Sequence, residues 1–173
     1  MRRGEVLGVR WSDIDLDRAR LSVQQAVVNV AYEIEIADVK TAAGRRVIDL
    51  DQRTIAVLRT WRKVQLEERM LAGLGPNPDG LVFARPDGSP THPDYFSQYF
   101  ERHVAGSSLP RIRLHDLRHT HATILLASGT PVKVVSERLG HASPAFTMTV
   151  YQHVVPGMQA DAALAFSRAV FGD

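Results

Sequence analysis

Leu114-His115-Asp116-Leu117-Arg118-His119-Thr120-His121-Ala122-Thr123 is the stretch on which the reading of this chain turns. On a helix, His115 and Arg118 stand three residues apart and share one face. An imidazole that can move a proton and a guanidinium that can grip two phosphate oxygens then point at one spot. Taken alone, the pair fits a solvated helix surface better. The flanking sequence therefore decides.

Downstream the pattern is helix after helix. The helix from His115 stops at Gly129. The next has Thr130 as N-cap and Pro131 at its first position, buries Val132, Val135 and Leu139, and stops at Gly140. A left-handed turn at Gly140 makes His141 project from the helix end rather than from its side. Ser143 and Pro144 open a further helix that holds Tyr151, and an alanine-rich amphipathic segment, 158–171, closes the chain. Upstream, residues 92–105 read as a helix ended by Gly106, 81–84 as a short strand and 73–80 as a loop. Asp51 caps a long helix running to about Leu71, with Leu58, Trp61 and Val64 on its apolar stripe. Period-two alternation and β-branched residues predict strands over 20–30, 32–40 and 46–50, with 41–44 as the hairpin turn between the last two. Residues 2–9 read as a short opening helix. The expected fold is α+β, mainly helical, with a small three-stranded antiparallel sheet in a single domain over 1–173.

Composition narrows the function classes. The chain has 173 residues, 45% hydrophobic and 23% charged, as in an ordinary globular domain. No apolar run approaches the roughly 20 residues of a bilayer-spanning helix, so no membrane partner is expected. Cysteine is absent, which excludes disulfides, thiolate catalysis and cysteine-ligated zinc. A cytoplasmic, nucleoid-associated location is the expectation. The net charge is only +2, but between Glu101 and His141 the basic residues Arg102, Arg111, Arg113, Arg118, Lys133 and Arg138 outnumber Glu101, Asp116 and Glu137. A locally basic face of this kind can hold a phosphate backbone, or be a solvated surface.

Single residues elsewhere have ordinary readings of their own. Lys40 at a hairpin mouth is commonly a solubility device, Arg2 and Glu5 can form a helical ion pair, and a tyrosine beside Val150 is usually a core residue. Their order is what changes the reading. Arg2-Arg3-Gly4-Glu5-Val6-Leu7-Gly8-Val9-Arg10-Trp11-Ser12-Asp13, then Lys40-Thr41 with Arg46-Val47-Ile48, then His115-Asp116-Leu117-Arg118-His119, then Leu139-Gly140-His141, then Val150-Tyr151-Gln152-His153 follow one another along nearly the whole chain. This series resembles the catalytic signature of the tyrosine recombinase, or phage integrase, family.

The resemblance implies a catalytic domain that cuts and rejoins DNA through a 3′-phosphotyrosine, with double-stranded DNA as partner. Tyr151 matches the nucleophile, His115 the base, Arg2 and Arg118 the phosphate clamp, Lys40 the general acid and His141 the auxiliary histidine. It implies no cofactor and no metal, since two guanidiniums and a lysine supply the positive charge. His119, His121 and His153 have a spacing that suggests zinc, but a structural role suits them better. Other protomers (a dimer on one site, a tetramer in synapsis) and an accessory DNA-bending protein are implied as partners. Family members usually carry a further helix and a DNA-clamping domain ahead of the first arginine. The expectation is therefore an N-terminally truncated catalytic domain that binds DNA weakly. A DNA-binding remnant without catalysis and a relaxing enzyme of the type IB topoisomerase kind are the alternatives.

Overall fold

The computed structural model describes residues 1–30, 33–39, 41, 44–77, 79–151 and 158–172. The chain opens with α1 (Arg3–Leu7) and a single 3₁₀ turn (Trp11–Asp13). The strands β1 (Ile14–Asp15), β2 (Arg20–Val23), β3 (Gln25–Val30), β4 (Glu33–Asp38) and β5 (Arg46–Asp49) follow. The rest is helical: α2 (Gln52–Leu71), α3 (Pro93–Ala105), α4 (Leu114–Ala127), α5 (Val132–Leu139), α6 (Pro144–Tyr151) and α7 (Met158–Phe171). The expected mainly helical α+β class is what the structure shows.

The helix boundaries follow local chemistry. Asp51 caps α2 by accepting from the backbone N–H of Thr54 at 3.0 Å. His92 caps α3, with Pro93 at its first position. Gly140 ends α5 at φ 69° and ψ 44°, the left-handed conformation that only glycine adopts without cost.

The strands differ from expectation in their pairing. β4 and β5 do not face each other. Both lie along the single β-rich run of residues 20–30: β3 pairs with β4 from Gln25↔Asp38 to Val30↔Glu33, and β2 pairs with β5 from Val23↔Arg46 to Arg20↔Asp49. Val30 pairs directly with Glu33, whereas the N–H of Val39, just beyond β4, donates to the carbonyl of Gln24 at 2.9 Å, between the two pairings. The hairpin expected between the last two strands at 41–44 does not form, although Thr41 accepts from the N–H groups of Gly44 and Arg45. The long run opposite takes both strands in succession instead. The third strand of the β1-β2-β5 sheet is Ile14–Asp15, which reads from sequence as part of a turn. Residues 81–84 make only isolated bridges, Arg10↔Leu81 and Ala84↔Pro90.

Two apolar clusters hold these layers. Val9, Trp11, Ile14, Leu21, Val23, Ile48, Leu58 and Val82 pack the sheet against α2. Ala122, Leu126, Val135 and Leu139 pack α4 against α5. Between them stands α1, seated flat on β3 through two glycines one turn apart. A Cβ on Gly4 would lie 2.5 Å from the carbonyl oxygen of Val27, and one on Gly8 2.9 Å from that of Gln25.

The polar join is Glu5. Its carboxylate is buried and accepts from Arg46 at 2.8 and 3.2 Å, from the Arg2 guanidinium at 2.9 Å and from the Arg2 backbone N–H at 2.6 Å. Burial pushes its pKa up, but the hydrogen bonds from Arg46 and Arg2 outweigh this and hold it at about 2. Among the described residues, no helix is long and apolar enough to cross a membrane.

Two outcomes follow from this packing. Gly4→Ala forces α1 off β3 and costs about 1–3 kcal/mol, measured by chemical denaturation of the purified chain. Glu5 contributes a pH-dependent term. Its folded pKa lies below its ordinary value of 4.5, so the stabilisation is complete above that value and fades as the pH falls toward about 2. The lowering of Glu5 amounts to about 3 kcal/mol. Denaturation series between pH 7 and pH 2 should therefore show a steeper acid loss for the natural chain than for Glu5→Gln.

Candidate active site

Three consecutive backbone carbonyls at the C-terminal end of α5 each accept a hydrogen bond from a different arginine. The carbonyl of Arg138 accepts from Nε of Arg46 at 3.0 Å, that of Leu139 from Nη2 of Arg118 at 2.7 Å, and that of Gly140 from Nη2 of Arg2 at 3.0 Å. A helix leaves its last carbonyls without intrahelical donors and carries partial negative charge there, so cations are favoured at that end. The arginines arrive from α1, β5 and α4, elements far apart in sequence. Two of the expected site residues, Arg2 and Arg118, are thus brought together.

His141 is the third. The left-handed turn at Gly140 lets its own N–H bond back to the carbonyl of Ser136 at 3.0 Å, which directs the imidazole away from the helix axis. Its Nδ1 lies 2.7 Å from Oγ1 of the fully buried Thr147. Burial, then the positive fields of Arg118, Arg2 and Arg46, lower its pKa to about 4, so the ring is neutral at pH 7. Donation by the Thr147 hydroxyl to Nδ1 would place the ring proton on Nε2, the tautomer able to donate to a phosphate oxygen.

His115 and Arg118 sit one turn apart on α4, as expected from their spacing. Both line a cavity of about 550 Å³ shared with Arg3, Phe96, His121 and Leu139. Burial, then the neighbouring His119 and Arg118, lower the pKa of His115 below the ordinary histidine value. The His119 ring stands edge-on to it at 4.7 Å. His121 accepts at Nε2 from Nε of Arg138 at 3.1 Å, while His153 lies outside the described residues. Among the described residues, no group of three histidine or acidic side chains is placed to hold a metal ion.

Thr147 belongs to α6, so its contact with His141 ties that helix to the end of α5. Tyr151 is the last residue of α6, four positions and about one turn beyond Thr147. Its side chain lies outside the described residues, and so does Lys40, which falls between β4 and β5 in the sequence.

Sequence reasoning undervalued two residues. Glu5 does pair with Arg2 as expected, yet it is a buried carboxylate shared by two arginines rather than an ordinary surface partner. Arg46 was quoted only as part of the lysine motif, and its side chain is 8% exposed. The signal was present. Arg46 and Ile48 share one face of β5, and a cation on the buried face of a strand requires a buried partner.

Comparison with known proteins bears on the family and the fold. The sequence profile described as the phage integrase family matches residues 1–157. The chain is 30% identical to a tyrosine recombinase XerC-like protein of Caldanaerobacter subterraneus subsp. tengcongensis, over 94% of this chain and 44% of that protein. It is also 30% identical to the ICEBs1 integrase of Bacillus subtilis, with the same two coverages. The chain thus spans less than half the length of these relatives. Its fold matches the Tn1549 transposon integrase in complex with circular intermediate DNA at a TM-score of 0.76, with 22% identity, over 95% of this chain and 55% of that one. The XerA recombinase matches at a TM-score of 0.67 and 18% identity, over 95% of this chain and 54% of that one. With the profile covering all but the last residues, this chain belongs to the phage integrase family.

Proposed function

We propose that this chain is the catalytic domain, 1–173, of a site-specific DNA recombinase that cuts and rejoins strands through a 3′-phosphotyrosine. The observation that carries this reading is the convergence of Arg2, Arg118 and His141 on the end of α5, with α6 tied to the same point through Thr147. Three side chains able to donate to phosphate oxygens stand together. The residue at position 151 follows one turn along the helix face that meets them.

In the proposed reaction the Tyr151 phenol loses its proton to His115 as its oxygen attacks the scissile phosphorus. A phenol with an ordinary pKa near 10 needs such a base at neutral pH. The lowered pKa of His115 suits the role, because the ring is neutral and able to accept. Arg2 and Arg118 donate to the non-bridging oxygens as charge accumulates in the pentacoordinate transition state, and His141 donates as a neutral group. The bond between phosphorus and the 5′-oxygen breaks, and Lys40 protonates the leaving oxygen. Attack by a 5′-hydroxyl from the same or another strand reverses the sequence, so rejoining needs no external energy source.

DNA is the proposed substrate and the cytoplasm, at the nucleoid, the proposed place of action. Other protomers are proposed partners, two on one site and four in a synapse. Support comes from α7, whose apolar Leu164, Phe166, Val170 and Phe171 are 54–70% exposed and open to contact with a neighbouring protomer. An accessory DNA-bending protein belongs to the same proposal.

The test is a nicked DNA duplex that traps the covalent product. The natural chain should form a protein–DNA adduct resolved by denaturing electrophoresis, and Tyr151→Phe should form none. Arg118→Ala should slow adduct formation by about a hundredfold or more, the usual cost of removing one preorganised donor. DNA binding without an adduct in either the natural chain or Tyr151→Phe would favour a non-catalytic remnant and overturn the proposal.

A further inference from the structure

Arg46 stands at a junction that the cleavage chemistry described above does not use. Its two terminal nitrogens reach both oxygens of Glu5, the carboxylate that also holds Arg2. Its Nε donates to the carbonyl of Arg138 at 3.0 Å, one residue before the carbonyl that holds Arg118 and three before His141. Its Nη1 also donates to the carbonyl of Gly44 at 2.9 Å, in the sequence between β4 and β5 to which Lys40 belongs. One side chain therefore joins the parts of the fold that carry five of the proposed reacting groups: Arg2, Lys40, Arg118, His141 and, through Thr147, Tyr151.

The residue type suits this position. A guanidinium presents five N–H donors in a rigid fork, enough for a bidentate carboxylate and two carbonyls at once. A lysine could satisfy Glu5 but not the remaining acceptors with the same geometry. The join is reinforced at the other end of β5, where Nη1 of Arg138 donates to the carbonyl of Asp49 at 2.9 Å. β5 and the end of α5 are thus clasped at two points, of which only the Arg46 end reaches Glu5.

We infer that Arg46 is a positioning residue for the cleavage step, acting mainly by fixing the Arg2 guanidinium through Glu5, with its hold on the end of α5 as the lesser contribution. This rests on the proposed function. It predicts a loss in the chemical step with DNA affinity preserved, because Arg46 is buried and its donors are turned to the protein.

The experiment is a double-mutant cycle on the natural chain, read as single-turnover adduct formation on nicked DNA, with DNA affinity and thermal unfolding measured alongside. Arg46→Ala should slow adduct formation by about a hundredfold, the scale of a reacting group misplaced by an ångström, while DNA affinity stays within about threefold. In an Arg2→Ala background, the same change should add less than about tenfold, because Arg46 then has less to position. A residue that merely stabilised the fold would give the full loss in both backgrounds.

Arg46→Lys keeps the charge and should recover part of the rate. It carries the cycle, with the same criteria, if Arg46→Ala does not fold. A folded Arg46 variant that cleaves within about threefold of the natural chain, or a loss of tenfold or more that persists without Arg2, overturns the inference. Failure of the natural chain itself to form an adduct would instead sink the proposed function, and this inference with it.

Discussion

The rest of the structure depends on how several guanidiniums are kept close together. Arg2, Arg46 and Arg118 converge within three successive residues of one helix end, and Arg138 lies beside them. Like charges so placed repel, and burial would add a desolvation cost. Two features offset this. The terminal carbonyls of α5 offer partial negative charge and unfilled acceptors, and Glu5 places one full negative charge between two of the arginines. The arginines are therefore held in place by acceptors of the protein itself. Burial first, and then the positive fields of Arg118, Arg2 and Arg46, keep His141 neutral at pH 7.

Preorganisation of this kind explains why elements distant in sequence are joined so tightly. α1 is only a turn and a half long, too short to persist by itself. Its position comes from the two glycines that let it lie against β3 and from Glu5 below it. A side chain at the very start of such a helix would otherwise fray. The carbonyl of Gly140 gives the Arg2 guanidinium a fixed partner, although half of that side chain remains open to solvent. The solvent-facing portion is the part available to a phosphate.

Much of this was legible in the sequence, because the features involved are local. Gly140 after an apolar stripe predicts a left-handed helix end, and Ser143-Pro144 predicts the next start. The three-residue spacing of His115 and Arg118 predicts a shared face, and Asp116 in the first turn of α4 accepts from the N–H of Arg113 at 2.8 Å. What was not legible depends on distant pairing. Turn-forming residues at 41–44 do not reveal whether the chain turns back on itself or leaves and rejoins one strand edge. Nor does a glutamate three residues from an arginine reveal that a second arginine, 41 positions away, shares it. Lys40 and the side chain of Tyr151 lie outside the described residues, so their roles rest on the motif order and on the framework around them.

The most direct measurement of the central claim is a crystal structure of the Tyr151→Phe chain bound to its DNA duplex. Convergence on the end of α5 predicts a single backbone phosphate within hydrogen-bonding distance of Arg2, Arg118 and His141, with the carbonyls of Leu139 and Gly140 still holding their guanidiniums. A phosphate backbone that passes elsewhere, leaving those three side chains without contact to any one phosphate, would contradict it.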